Sequence, residues 1–313
     1  MNSKLRLFFT LTLSVSAIFA SCFFVPQTLA DENNDNVADN TILQISPGLQ
    51  RLSLKPNEIT EHTITVKNLS DGESNILIYS TPFFYSGQDS SPNFETNNRF
   101  TRLCEWITLS TNESTPQKEI SITLSPKETK EITYKITVPD NAPGGGQYAG
   151  IFAEVTGDES RGVKTSTRVG TILYANIDGD TITGSNITNT KVSNFSTNGI
   201  VTVSADVENT GNIDFQSSIS IKASTIFGND LFSDTTVSTI LPETTKKVSI
   251  SWDSHSLGLF KIDYQINALD TSVSDTCIVF IIPISVIVLG FLLLILTIIA
   301  IVYHIKKRQS WQL

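Results

Sequence analysis

The sequence predicts an all-β molecule, two immunoglobulin-like β-sandwich domains followed by one transmembrane helix. Three observations predict it. From residue 41 onward the chain runs in short alternating stretches rich in Thr, Ile and Val. Thr63-Ile64-Thr65-Val66, Ile120 to Leu124 and Ile132 to Val138 all keep period two, the pattern of a strand with one packed and one wet face. No window of helical length carries a 3.6-residue apolar stripe. Second, a proline-bearing turn phrase recurs before a strand: Leu54-Lys55-Pro56-Asn57-Glu58, Leu124-Ser125-Pro126-Lys127-Glu128 and Leu241-Pro242-Glu243-Thr244. Third, Cys277 to Tyr303 is 27 residues without a charged side chain, more than the ~20 apolar residues a bilayer crossing needs.

The elements follow in chain order. Lys4 and Arg6 precede an apolar run from Leu7 to Ala20, and Thr28-Leu29-Ala30 supplies small residues, so residues 1–30 read as a signal peptide. A rival reading takes Phe19-Ala20-Ser21-Cys22 as a lipoprotein box with Cys22 acylated. Residues 31–40, DENNDNVADN, form an acidic leader. Its Asp31, Asn33, Asp35 and Asp39 have the odd-position spacing of a calcium loop, but Asn36 replaces the turn glycine and Ile42 the closing glutamate. Disorder is the better reading of this segment.

The first sandwich covers 41–180 and contains an irregular insertion, Thr81 to Arg102. Pro139-Asp140-Asn141-Ala142-Pro143-Gly144-Gly145-Gly146-Gln147-Tyr148 then reads as a turn before a strand. A phosphate cradle would need a following helix and a Gly-Lys-Ser/Thr, and neither is present. The second sandwich covers 183–270. Val66-Lys67-Asn68 with Gly72, and Val207-Glu208-Asn209 with Gly211, are similar strand ends, and they argue that the two domains are related. The apolar span 277–303 follows, with Pro283 near its start where the helix proper can begin. Residues 304–313 form a basic tail with Lys306, Lys307 and Arg308, which places the tail in the cytoplasm and everything before the span outside.

Charge and cysteine content narrow the function classes. All 31 acidic residues lie between the apolar ends. Two of the 22 basic residues precede them and three follow, which leaves 17 against 31, a net charge of −14. Such a surface does not attract nucleic acid. Only Cys104 lies well inside the ectodomain, so stability rests on apolar cores and not on disulfides.

Catalytic patterns are missing from the sequence. His62, His255 and His304 share no metal-ligand spacing, and no Gly-x-Ser-x-Gly elbow occurs. Asp253-Ser254-His255-Ser256 holds triad residue types at adjacent loop positions, whereas a triad is assembled from separate segments. The reading is therefore a protein that is not an enzyme, with no cofactor and no metal. Leu241-Pro242-Glu243-Thr244-Thr245 is similar to a sorting signal, but Thr245 replaces glycine and some 30 residues of strand pattern separate it from the apolar span. The insertion carries Phe83, Phe84, Tyr85, Phe94 and Phe100. Aromatic faces suit stacking on sugar rings, although such rings also pin long loops to their own sheet. With Tyr148, the candidate ligand-binding residues are Tyr85, Phe94, Phe100 and Tyr148.

Several of these features together resemble the WxL-interacting protein family of bacterial cell surfaces. They are the signal peptide, Leu-x-Pro-x-Glu before a Val66-Lys67-Asn68-Leu69-Ser70 strand end, Pro143-Gly144-Gly145-Gly146-Gln147-Tyr148, Val169-Gly170-Thr171-Ile172-Leu173-Tyr174, and a second β-domain before one membrane helix and a short basic tail. The resemblance implies a first domain that binds peptidoglycan, a second that binds host or matrix proteins, and WxL-domain proteins as surface partners. The alternative is an adhesin or surface-assembly factor that recognises protein alone through an exposed strand edge.

Overall fold

The computed structural model describes residues 42–86, 91–111, 114–156, 166–254 and 256–309. The expected signal peptide, acidic leader and Cys22, together with His255 and the end of the tail, lie outside these residues. The described chain belongs to one compact unit, Ile42–Leu313.

In the first domain the chain runs through β1 (Leu43–Ser46), β2 (Leu49–Leu54), β3 (Ile59–Asn68), β4 (Ser74–Pro82), β5 (Phe84–Ser86) and β6 (Ser91–Asn93). A single helical turn, α1 (Leu103–Trp106), precedes β7 (Ile107–Ser110), β8 (Glu119–Leu124), β9 (Thr129–Thr137), β10 (Gly145–Thr156) and β11 (Ser166–Ile177). Two sheets face each other, ordered β1-β3-β9-β7 and β2-β11-β10-β4-β8. The first strand is shared between them: β1 pairs antiparallel with β3, and β2 pairs parallel with β11. Alternation does what it predicts. In β9 the inward Ile132, Tyr134 and Ile136 are fully buried. They meet Ile76, Ile78, Ile151 and Leu173 of the opposing sheet in one core, each such side chain contributing roughly 1.5–3 kcal/mol.

The second domain repeats the plan. It comprises β12 (Ser185–Val192), β13 (Phe195–Ser196), β14 (Ile200–Asn209), β15 (Phe215–Thr225), β16 (Asp230–Ile240), β17 (Thr245–Asp253), β18 (Gly258–Ala268) and β19 (Thr271–Ile281). The sheets are β12-β14-β17 and β13-β19-β18-β15-β16, again with an early strand, β13, lying parallel to the last one. Trp252, Ile250, Ile262 and Ile266 anchor a separate core.

The sequence boundary at 270 falls short. Residues 271–281 form the strand β19, paired along its whole length with β18. Cys277 to Ile281 therefore belongs to the sandwich, and the helix α2 runs over Ile284–Gln309. The physical reason is that both faces of β19 are apolar at its end. Val279 and Ile281 fill the core while Ile278 and Phe280 point outward, so the run shows no polar interruption. The helix is long and apolar enough to cross a membrane, with Ile284–Ile305 at a mean hydropathy of 3.2.

The recurring phrases fold into one device used three times. Asn57, Lys127 and Glu243 follow their prolines with left-handed φ of 66°, 61° and 54°, a conformation that costs a non-glycine residue roughly 1–2 kcal/mol. Glu58 and Glu128 offset that cost. Each accepts a hydrogen bond at 2.7 Å from the backbone N–H three residues earlier, at Lys55 and Ser125. A buried asparagine then clamps the turn. Asn68 donates its side-chain amide to the carbonyls of Gly72, Leu124 and Ser125. Asn209 donates to Ile213 and Ile240 and accepts from Gly211 N–H. Asn68 is fully buried, so its Asn-x-Ser tripeptide is a structural corner and not a glycan acceptor. Replacing Asn209 with alanine leaves buried carbonyls unpaired and should lower stability by about 1–3 kcal/mol, read as a drop in the thermal midpoint against the wild-type chain.

Candidate functional site

The aromatic insertion and the proline turn of the second domain meet. Phe83, Phe84, Phe100, Tyr148 and Tyr174 of the first domain enclose Leu241 of the second in a third apolar cluster, and Leu241 is fully buried. Phe84 and Phe100 lie parallel at 5.9 Å, and Tyr148 meets Tyr174 edge-on at 5.5 Å. Polar contacts ring the cluster. Arg51 pairs with Asp214 at 2.7 Å and covers the Tyr174 ring at 4.7 Å. The Tyr148 hydroxyl donates to Asp214 Oδ1 and accepts from Asp214 N–H, both at 3.1 Å. Arg99 pairs with Glu243. Lys246 places its ammonium 4.7 Å from the centre of Tyr85, and burial lowers its pKa.

The glycine-rich segment belongs to the same joint. Gly146 N–H donates to Asn212 O at 2.7 Å. Gly145 has φ +108°, and a Cβ there would lie 2.5 Å from the same carbonyl oxygen. Gln147 holds the insertion through Arg99 O and Arg102 N. Of the four candidate residues, Tyr148 and Phe100 are buried in the joint, and half-buried Tyr85 lies under Lys246. Their rings pin the insertion and brace the domains. Asp214 and Arg51 carry no local signal that would single them out, and Leu241 shows in the sequence only as the first residue of a turn phrase; their partners lie far away in the sequence.

Phe94 reaches from the joint to a second surface: it packs against Phe83 of the cluster at 5.7 Å. It stands edge-on, at 4.7 Å, to Phe152 on the outer face of the five-stranded sheet of the first domain. Arg168 lies over both rings, 5.7 Å from Phe94 and 5.1 Å from Phe152. Tyr79 approaches Phe152 at 6.2 Å and donates to Glu154 at 2.7 Å. Phe152 lies flat because glycine flanks it: a Cβ at Gly170 would come within 2.6 Å of the ring. Beside Tyr79 a depression of about 400 Å³ is bordered by Ser80, Glu105, Lys118 and Glu119. The result is a platform of two half-covered rings, Phe94 and Tyr79, laid over buried Phe152, with one guanidinium and nearby carboxylates, suited to a sugar face and an acidic substituent.

A second surface is the edge strand β16. It pairs with β15 and, among the described residues, with no strand on its other side. Five consecutive residues, Ser233 to Val237, are exposed. Both faces of a strand are wet only where the opposite sheet does not reach, and here five strands face three, so β16 overhangs. It carries no lysine and no proline, the residues that ordinarily blunt such an edge.

No group of three or more His, Cys, Asp or Glu suited to a metal ion occurs among the described residues. Burial raises the Cys104 thiol pKa, away from nucleophile chemistry at neutral pH.

No protein-family model matches the chain, and no curated protein matches it. Among solved structures it is similar to a chaperone–tip adhesin complex of CFA/I fimbriae, with 12% identity, 77% of this chain and 99% of that one covered, and a TM-score of 0.37. The class 5 fimbrial chaperone CfaA gives 12%, 77%, 99% and 0.36. The CsuC–CsuE chaperone–tip subunit complex of Acinetobacter baumannii gives 11%, 77%, 99% and 0.35. Likeness at this level supports neither a partner nor an activity.

Proposed function

We propose that the chain is a non-catalytic, membrane-anchored surface protein that binds partner proteins by strand addition to β16. The observation that carries this reading is the overhang of β16, whose middle is covered on neither face and whose outer edge is unpaired. An extended segment from a partner would complete the sheet through main-chain hydrogen bonds and take specificity from alternate side chains. The resemblance to the WxL-interacting family suggests WxL-domain proteins, or host or matrix proteins, as the partners. In this reading α2 is the anchor, the sandwiches lie outside, and the basic tail is cytoplasmic.

A second contact, to peptidoglycan, is supported by the platform around Phe94, Phe152 and Arg168. The half-exposed Phe94 and Tyr79 rings would stack on amino-sugar faces and Arg168 would pair with stem-peptide carboxylates.

Two variants of the detergent-solubilised chain test both. T236K/V237K puts charge on the strand edge and should weaken retention of WxL-domain proteins at least about tenfold, or ~1.4 kcal/mol. F94A/R168A should leave that retention unchanged and reduce co-sedimentation with purified peptidoglycan. Unaltered partner retention by T236K/V237K would refute the strand-edge reading.

A further inference from the structure

The second domain and α2 are joined without a spacer. Only Ile282 and Pro283 separate β19 from the helix. Backbone bonds from Ile282 N–H to Ser196 O and from Ile284 N–H to Thr197 O tie the helix start to β13 and the turn after it. Whatever surface α2 enters, this end of the sandwich lies against it.

That end is unusually apolar. The strand registers place its parts together: Gly258 opposes Ile281, Leu259 and Phe195 both oppose Phe280, and Thr225 opposes Phe260. The β15–β16 hairpin tip, the start of β18 and the β13 segment therefore share one end with the helix. Among the described residues between Ile42 and Pro283, fifteen large apolar side chains are exposed, and nine of them lie here, within ~10 Å of Ile281 along the strands. Phe227, at the hairpin tip, is 88% exposed, and Ile226, Leu257 and Leu259 stand beside it in the same rim. The other six are scattered over the two domains.

We propose that this rim is seated in the headgroup–acyl boundary of the bilayer that α2 crosses, with Phe227 as its deepest side chain. The inference rests on the reading of α2 as a membrane span. The occupant is lipid and not a second protein, because the covalent continuity of β19 with α2 brings the rim to the membrane surface. The net charge of the ectodomain is negative, so seating depends on apolar insertion and not on anionic lipid. The sandwich then stands on the membrane in one orientation instead of swinging on a tether.

The test uses the full chain in phosphatidylcholine nanodiscs whose lipid is brominated near the top of the acyl chains. Three single variants, F227W, V237W and F291W, are compared with the wild type, whose own tryptophans give a constant background. F227W replaces a solvent-exposed ring and V237W an exposed residue at the far end of β16, so neither disturbs a core. The added F227W emission should fall by roughly half, as expected for a ring ~5–10 Å into the interface, and that of V237W should not change. Quenching of F291W without quenching of F227W would overturn the seating while leaving the anchor intact. If F291W itself escapes quenching, the membrane reading of α2 fails, and the seating fails with it.

Discussion

Replacing Leu241 with alanine should uncouple the two sandwiches. The side chain is fully buried among Phe83, Phe84, Phe100, Tyr148 and Tyr174, and truncation of a buried leucine costs about 2–5 kcal/mol, according to how far the site collapses. Five rings braced against each other by edge and stacked contacts have little freedom to close the gap, so the upper half of that range is expected. Arg99–Glu243 does not rescue the joint, because both ends are exposed and screened and such a pair contributes little; Arg51–Asp214, buried at its carboxylate end, is a polar contact that remains. The measurement is differential scanning calorimetry of the detergent-solubilised chain. The wild type should give one joint transition for the sandwiches, and L241A should give two, the earlier shifted downward. A single unshifted transition would show that the domains are coupled some other way.

Alkaline pH should destabilise the chain steeply. Tyr134, Tyr148 and Tyr174 are almost wholly inaccessible, and burial raises each phenol pKa above the ordinary tyrosine value of 10.0, with Asp214 adding to the rise at Tyr148. A group whose folded pKa is raised holds its stabilising contribution below the unfolded pKa and loses it as pH climbs beyond. Above about pH 10 the unfolded chain releases three protons that the folded chain retains. The slope is then roughly −1.4 kcal/mol per pH unit for each ring, or about −4 together. Denaturant midpoints between pH 9 and 11 provide the check. The variant Y148F should lose about a third of the slope; an unchanged slope would mean that Tyr148 ionises in the folded state.

Much of the architecture was legible because it is local. Period-two alternation in Ile132 to Val138 marks an inward face whatever lies opposite, and a proline followed by a left-handed residue marks a reversal wherever it occurs. Asn68 and Asn209 recur at matching strand ends because each performs the same clamping task. Two parts were not legible. The boundary between sandwich and helix was hidden because Cys277 to Ile282 is apolar on the face that fills the core and on the face that points outward. The joint was hidden because it is made by distance in sequence: Arg51 meets Asp214 across 163 positions, and nothing near either residue announces the pairing. The aromatic insertion was visible as a cluster, yet composition alone does not distinguish rings that face a ligand from rings that face another domain. Phe94 bridges Phe83 and the Phe152 platform, and Phe100, about 20 Å of extended chain away, is turned into the joint. The overhang of β16 did leave a trace, since Ser233-Asp234-Thr235-Thr236 lacks the apolar alternation of every core strand.

The parallel pairing of β13 with β19 bears on mechanics. Tension between the first domain and α2 enters the second sandwich at Ser185 and leaves at Ile284, the opposite ends of its first and last segments. Because Phe195–Ser196 runs alongside Phe280–Ile281 in the same direction, that tension slides one strand along the other instead of peeling them apart. The backbone bonds from Phe280, Ile282 and Ile284 to Asn194, Ser196 and Thr197 are then loaded together. A module strung this way resists a steady pull until several bonds give at once, which suits a load-bearing strut.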